Sequence, residues 1–440
     1  MLVPSNYEMK EPDFMKKTML QHSGAFLLTV FLAVLLLLLG ACLPQAPIDS
    51  HVRASAEVMA REGDYPVMAD RSYASILDYV TDALILMESK STSIADPETI
   101  FTNPQYQYPQ EDDSTVLDLY QYSVDSNPES TKYYVQYWMG FRPLMRLMLC
   151  FFDYYQILRY IAVAFFVLLA AVMCSIANRA GTKTAFLFAL SMILVRPHVV
   201  AVSLQFSCCF LIAFLAMLAV PWIHRHAKWE SLFFLELGIL TQYFDFYTTP
   251  ILTFALPMTY LYILKSQDQQ AVSLKNLGCN GLSWCAGYGL MWLAKLVLTS
   301  LFTPVNALAQ GFASFCGRIG IEKVSGMESY YSPIAALRAV FVSLYSDSTG
   351  KLVLFAASAV TFLVLLVRFL RDKHQPKELL NHWQLLIIAA LPVIWFIAAA
   401  QPTANHHWFQ YRSIAASFWA GFQYLQYLLQ RKPDLTASMK

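Results

Sequence analysis

The sequence predicts an all-α polytopic membrane protein of about ten transmembrane helices, with a large first extracytoplasmic loop carrying interfacial helices. Three observations predict this. The chain is 57% hydrophobic and 14% charged, against about 45–50% and about 25% in soluble domains. Its apolar residues gather into runs long enough to cross a bilayer. The short breaks between runs are alternately basic, as the positive-inside rule requires of loops left in the cytoplasm.

Residues 1–23 are polar and carry Lys10, Lys16 and Lys17. They place the N-terminus in the cytoplasm, ahead of an uncharged first span at 24–43. Leu39-Gly40-Ala41-Cys42 also reads as a bacterial lipoprotein cleavage box, but the run is long for a signal segment and further spans follow. Residues 44–157 are soluble in character and face outward. Two helices are expected there, Ser50–Glu62 and Ser72–Glu88, both with apolar faces suited to the membrane interface. Asp64-Tyr65-Pro66 is a turn between them. Residues 89–132 read as an irregular loop, and Val135–Tyr155 as an aromatic belt where the chain re-enters the membrane.

Residues 158–429 form the remaining bundle of about nine spans. The expected spans are Tyr160–Ala177, Ala185–Val195, Val199–Ile223, Ser231–Phe244, Thr249–Leu264, Leu282–Phe302, Leu352–Val367, Leu385–Ala400 and Ser413–Leu429. Arg179, Lys183, Arg225, Lys228, Lys265, Lys275, Arg368, Arg371, Lys373, Lys377, Arg431 and Lys432 fall in the loops assigned to the cytoplasm. A second outer loop at 303–349 holds a helix at Ile334–Leu344, and 430–440 is a cytoplasmic tail. The location expected is the bacterial cytoplasmic membrane, multi-pass, with both termini inside and the active face outside.

Several function classes drop out. The net charge is +1 and the chain lacks the basic patch of a nucleic-acid binder. Walker, nucleophile-elbow, HExxH and dinucleotide-binding patterns are missing. The eight cysteines make no CxxC pair, and adjacent Cys208 and Cys209 are poorly placed for a disulfide.

Unusual polar residues collect at the outward ends of spans. Asp78 and Asp82 are four apart on an expected helix and so share a face. Like charges at that spacing disfavour a helix, which invites a divalent metal ion, a cationic partner or a raised pKa, unless the face is simply solvated. Asp49 lies at the mouth of the platform, where Asp49 or Ser50 could equally cap the next helix. Arg196-Pro197-His198 interrupts an apolar run, and Arg196 could hold a phosphate or snorkel to the interface. Lys295 lies within a span, where an ionisable residue is a functional candidate by default. Asp245 follows an aromatic turn. His406, His407 and Arg412 share another outer turn, but adjacent histidines cannot easily face one metal. Glu236, His224 and His226 read as structural or loop charges.

One span, an acidic outer loop with interfacial helices, then many spans with several short or bent ones, resembles the C-type (GT-C fold) glycosyltransferase superfamily. Leu77-Asp78-Tyr79-Val80-Thr81-Asp82, Tyr137-Trp138-Met139-Gly140-Phe141-Arg142-Pro143 and His406-His407-Trp408-Phe409-Gln410-Tyr411-Arg412 are similar to segments of multispanning, largely uncharacterised proteins of Gram-positive bacteria. The resemblance implies transfer of a sugar from a polyprenyl-phosphate donor to a glycan, lipid or protein acceptor at the outer face. It implies a catalytic carboxylate among Asp49, Asp78 and Asp82. Arg196, His198, Lys295 and Arg412 would then hold the donor phosphate. The chain departs from the family in lacking a paired acidic motif directly after the first span, where Asp49 stands alone. A transporter or lipid flippase would instead bind near the midplane with repeated halves. An accessory scaffold would tolerate conservative changes at the aspartates.

Overall fold

The computed structural model describes residues 11–68, 73–109, 113–125, 127–270, 272–318, 332–345, 348–371 and 381–429. Lys10, Ser72, the middle of the second outer loop, Lys373, Lys377 and the expected tail at 430–440 lie outside them. The described chain is helical apart from one two-stranded ribbon.

The first helix, α1 (Glu11–Ala41), is long, apolar and mostly exposed along its length. A helix with so many bare leucines is stable only if lipid covers it. Among the described residues, three further helices are long and apolar enough to cross a membrane: α7 (Tyr154–Ala180), α10 (Leu204–Arg225) and α13 (Leu274–Phe302). Other helices complete the bundle. They are α8 (Thr182–Ile193), α11 (Glu230–Phe244), α12 (Leu252–Gln267), α16 (Ser348–Arg371), α17 (Gln384–Ala398) and α20 (Ile414–Leu429). Helix α12 is buried along nearly its whole length and forms the centre of the main core with α10 and α20.

Helices α11 and α13 touch backbone to backbone. A Cβ on Gly238 would sit 2.1 Å from the Trp284 carbonyl oxygen, and one on Gly287 would sit 2.1 Å from that of Leu235. Small residues at crossing points let membrane helices pack this closely. Polar side chains supply the rest of the seam. Thr29 of α1 donates to Glu236 at 3.0 Å, and Trp284 Nε1 donates to Thr253 at 3.0 Å.

Between α1 and α7 the chain folds into a compact domain that stands outside the helical bundle, hence the outer domain, rather than a loop. It comprises α2 (Gln45–Glu62), α3 (Tyr79–Ser91), α4 (Glu98–Thr102), the ribbon β1 (Pro104–Gln107) with β2 (Ser130–Tyr133), α5 (Thr115–Val124) and α6 (Arg142–Leu149). The irregular loop expected at 89–132 is therefore incorrect. Ser114 caps the start of α5, and Asn103, in a left-handed backbone, ends α4. The expected helix at Ser72–Glu88 is also corrected. Asp78 turns back to accept from the Thr81 amide and caps α3, while Tyr73–Ser75 forms a separate 3-10 turn. Asp49 lies inside α2, not before it, and pairs with Lys90 at 3.0 Å.

The first part of the aromatic stretch 135–155 docks into the bundle, while Leu144, Leu147 and Phe151 further along it are exposed. Trp138 is fully buried, and its Nε1 donates to the Met291 carbonyl of α13 at 2.8 Å. An Asp153–Gln156 capping box then starts α7 at Tyr154, six residues earlier than expected. Residue 196 adopts a left-handed backbone, so the run at 182–225 divides into α8, a short α9 (Pro197–Val200) and α10. Lys275, expected in a loop, belongs to the first turn of α13.

Buried cations hold the outer domain together and clamp it to the bundle. Arg142 donates to Ile100 O at 2.5 Å and to Asn103 Oδ1 at 2.9 Å, and Lys295 Nζ donates to Phe101 O at 2.6 Å. The last turn of α4 thus meets two positive charges, where unpaired helix carbonyls want them. Arg146 Nε holds Gly40 O at the end of α1 at 2.8 Å.

Candidate functional site

A cavity of about 620 Å³ lies where the outer domain meets the bundle. Its walls come from the first turn of α3, the 134–139 segment, the start of α10 and the turn after α11. The amphipathic helix α14 (Ala307–Arg318), with α18 (Ala400–Asn405) and α19 (His407–Gln410), closes it.

Arg318 is the cation of this cavity. Its guanidinium lies 5.3 Å from the Tyr137 ring and 5.0 Å from the Tyr247 ring, and Nη2 donates to the Tyr137 hydroxyl at 2.7 Å. Aromatic faces hold an arginine by cation–π attraction and leave most of its N–H donors unspent. Leu308, Phe312 and Phe315 are exposed on the side of α14 away from the cavity residues Ala313 and Gly317, with Arg318 at the border between the two sides. Those three are at i, i+4 and i+7, an apolar stripe fit for the membrane interface. Arg318 therefore faces a cavity from a helix whose back suits lipid. Residues 303–349 were expected to form a loop with only the later helix, α15 (Pro333–Tyr345). The stripe at 308, 312 and 315 was the signal for α14.

His406 also lines the cavity, stacked on Phe409 at 5.2 Å. Its pKa is lowered to about 4 by enclosure in protein, then by Arg318 and His407. His407 turns away to meet Ser343 at 2.6 Å. The two histidines diverge, and among the described residues no three His, Cys, Asp or Glu side chains are grouped to hold a metal.

The acid pair stands directly behind the cavity wall. Val80 and Thr81 line the cavity, while Asp78 and Asp82 on either side of them are buried. The Thr81 hydroxyl donates to Asp78 Oδ2 at 3.0 Å, and the Thr81 amide to Oδ1 at 3.2 Å. Tyr154 donates its hydroxyl to Asp82 Oδ2. Asp82 Oδ1 has no hydrogen bond of good geometry, though the Leu204 and Gln205 amides are close enough to favour its charged form. Burial pushes the Asp82 pKa up to about 7 against the Tyr154 bond, with Asp78 adding to the rise. Burial likewise pushes Asp78 up to about 6, against the Thr81 bonds.

The remaining candidates fall elsewhere. Lys295 is sealed under α4, and Arg412 is fully buried, donating to Ala74 O at 3.0 Å and Val195 O at 3.3 Å. Both cations bond backbone carbonyls and lie outside the cavity lining, so the cavity does not bring them in as the phosphate clamps expected. Arg196 bonds Ser75 and so pins the same 73–75 turn as Arg412. His198 is exposed and outside the cavity lining, and Asp49 is an ion-pair partner. Asp245 caps the end of α11 and bonds the Thr248 amide at 3.1 Å, just ahead of the cavity residues Phe246 and Tyr247. No protein-family model, curated protein or solved structure matches the chain.

A third outer-domain acid, Glu88, is fully buried, and burial pushes its pKa up to about 8 even with Arg142 and Lys295 nearby. All three acids are raised above their unfolded values, so at these groups the native chain binds more protons than the unfolded one between about pH 4 and 8, and the lowered His406 opposes them in part below about pH 6.5. Their stabilisation is complete below that window and is lost as pH rises through it. The detergent-solubilised protein is expected to melt at a lower temperature at pH 8.5 than at pH 5.5. Glu88→Gln should flatten the dependence, and a melting temperature that climbs with pH would contradict the assignment.

Proposed function

We propose that the protein is a glycosyltransferase of the outer membrane face, transferring a sugar from a polyprenyl-phosphate donor to a hydroxyl acceptor. In this reading the chain spans the bacterial cytoplasmic membrane about ten times with both termini inside. The observation that carries it is Arg318, a cation with free donors facing an outer cavity from a helix whose other side suits lipid. A lipid phosphate needs that combination. The cavity tyrosines offer rings for a sugar face and hydroxyls for its edges.

The chemistry follows from the wall. The acceptor oxygen attacks the anomeric carbon as the bond from that carbon to the phosphate oxygen breaks. The departing phosphate keeps the electron pair and is neutralised by Arg318. The acceptor's proton passes to Thr81 Oγ1 while the Thr81 proton moves to Asp78. A carboxylate with a pKa near 6 is mostly ionised and ready at neutral pH, and a positioned base contributes about 10²–10⁴-fold. Asp64 raises Asp78 as a charged neighbour, and Asp78 in turn raises Asp82 behind it. A divalent metal ion is not needed for any of these steps.

The test is mass spectrometry of envelope glycans and polyprenyl-linked sugars in a host lacking the gene, complemented in turn by wild type, Asp78→Asn and Thr81→Val. Loss of one sugar with build-up of its lipid-linked precursor, cured by wild type and by neither variant, is expected. Full rescue by Asp78→Asn would remove the base assignment. Identical profiles in all strains would remove the transferase reading.

A further inference from the structure

A second polar cavity, of about 480 Å³, lies at the other end of the bundle. It is formed by the starts of α11 and α13, the end of α12 and the early part of α1. The fifteen residues of α11 separate it from the turn that lines the outer cavity, about 22 Å at 1.5 Å per residue. It therefore sits at the opposite bilayer interface.

Its floor holds a buried ion pair. Glu230 is 6% exposed, Lys265 5% and Asn280 3%. Lys265 Nζ lies 2.5 Å from Glu230 Oε1, yet no well-directed hydrogen bond reaches that oxygen. Asn280 Nδ2 donates to Glu230 Oε2 at a long 3.4 Å. An ammonium has three donors and a carboxylate about four acceptor sites. Most of that capacity is unspent at the bottom of a cavity, and buried charges are costly unless paired and hydrogen-bonded. The floor carries one positive and one negative group. A ligand that satisfies both bears an ammonium with N–H donors for Glu230 and an anionic oxygen for Lys265.

The rim indicates where such a ligand comes from. Thr18, Gln21 and His22 of α1 line the cavity, and between them Met19 and Leu20 are 67% and 75% exposed. Acyl chains packed on those side chains would place a headgroup at the cavity mouth. Trp229, also in the lining, carries the exposed Lys228 ammonium 5.5 Å from its ring centre, a further cation for the phosphate side of such a ligand. We propose that this cavity binds the phosphoethanolamine headgroup of an aminophospholipid, phosphate toward Lys265 and ammonium toward Glu230. A choline headgroup has no N–H to give Glu230, and a glycerol headgroup has no cation. The inference stands independently of the outer-face reaction.

Native mass spectrometry of the full-length protein, mixed separately with phosphatidylethanolamine, phosphatidylcholine and phosphatidylglycerol of matched chains, tests it. About ten-fold stronger retention of phosphatidylethanolamine is expected. Cys279→Trp fills the cavity from its exposed wall without touching the ion pair and should reduce retention to the phosphatidylcholine level. Glu230→Gln should shift preference toward phosphatidylglycerol. Equal retention of the three lipids, or unchanged preference in Cys279→Trp, would overturn the proposal. Displacement of the bound lipid by equimolar free O-phosphoethanolamine would overturn the lipid source.

Discussion

Arg318→Gln is expected to lower sugar transfer by about 10²–10³-fold while leaving the protein folded. Removal of one preorganised group that stabilises developing charge typically costs this much. The guanidinium rests on the Tyr137 and Tyr247 faces at the cavity wall and holds one side-chain hydrogen bond, to Tyr137. Glutamine keeps a donor for that hydroxyl and loses the charge. Arg318→Lys should recover part of the rate, because it restores the charge without the planar fork. Transfer to an acceptor in detergent, measured beside thermal melting, separates the two effects. Wild-type transfer by a folded Arg318→Gln protein would exclude Arg318 as the phosphate group's partner.

The second large effect is structural. Arg142→Met should destabilise the outer domain by at least about 3 kcal/mol, since buried acceptors left without partners cost about 1–3 kcal/mol each. Arg142 meets Thr99 O, Ile100 O and Asn103 Oδ1, all in a buried setting. The loss should appear as early proteolysis within 98–107, with the membrane helices still protected. A cleavage pattern identical to wild type would show that α4 is held by something else. Lys295→Met should act in the same direction, and the two losses should not add, because both cations hold one turn.

The apolar helices were legible because lipid-facing surface needs only length and composition, and the helices at Tyr154–Ala180 and Leu204–Arg225 announce themselves that way. The outer domain was not. Its polar sequence hides a core of short elements whose order depends on long-range partners, such as Asp64 accepting from Ser114 and Val116 across fifty residues. The candidate site was half legible. Asp78 and Asp82 stood out by spacing, although the cap that Asp78 forms changes how they relate. Lys295 and Arg412 stood out as charges among apolar neighbours, yet burial on carbonyls explains both. Arg318 was missed because an arginine at the end of a loop segment looks ordinary until the helix before it shows two different faces.

The glycine contact between α11 and α13 also governs mechanics. With backbone pressed on backbone at Gly238 and Gly287, neither helix can slide or roll without a steric collision, so the two behave as a single beam. The turn bearing Phe246 and Tyr247 hangs from one end of that beam, and α14 follows directly from the other member. Any breathing of the outer cavity must then come from the elements that meet it through side chains, namely α18, α19 and the rim of α14. The fixed wall sets the geometry of the bound state, and the hinged wall sets how fast anything comes or goes.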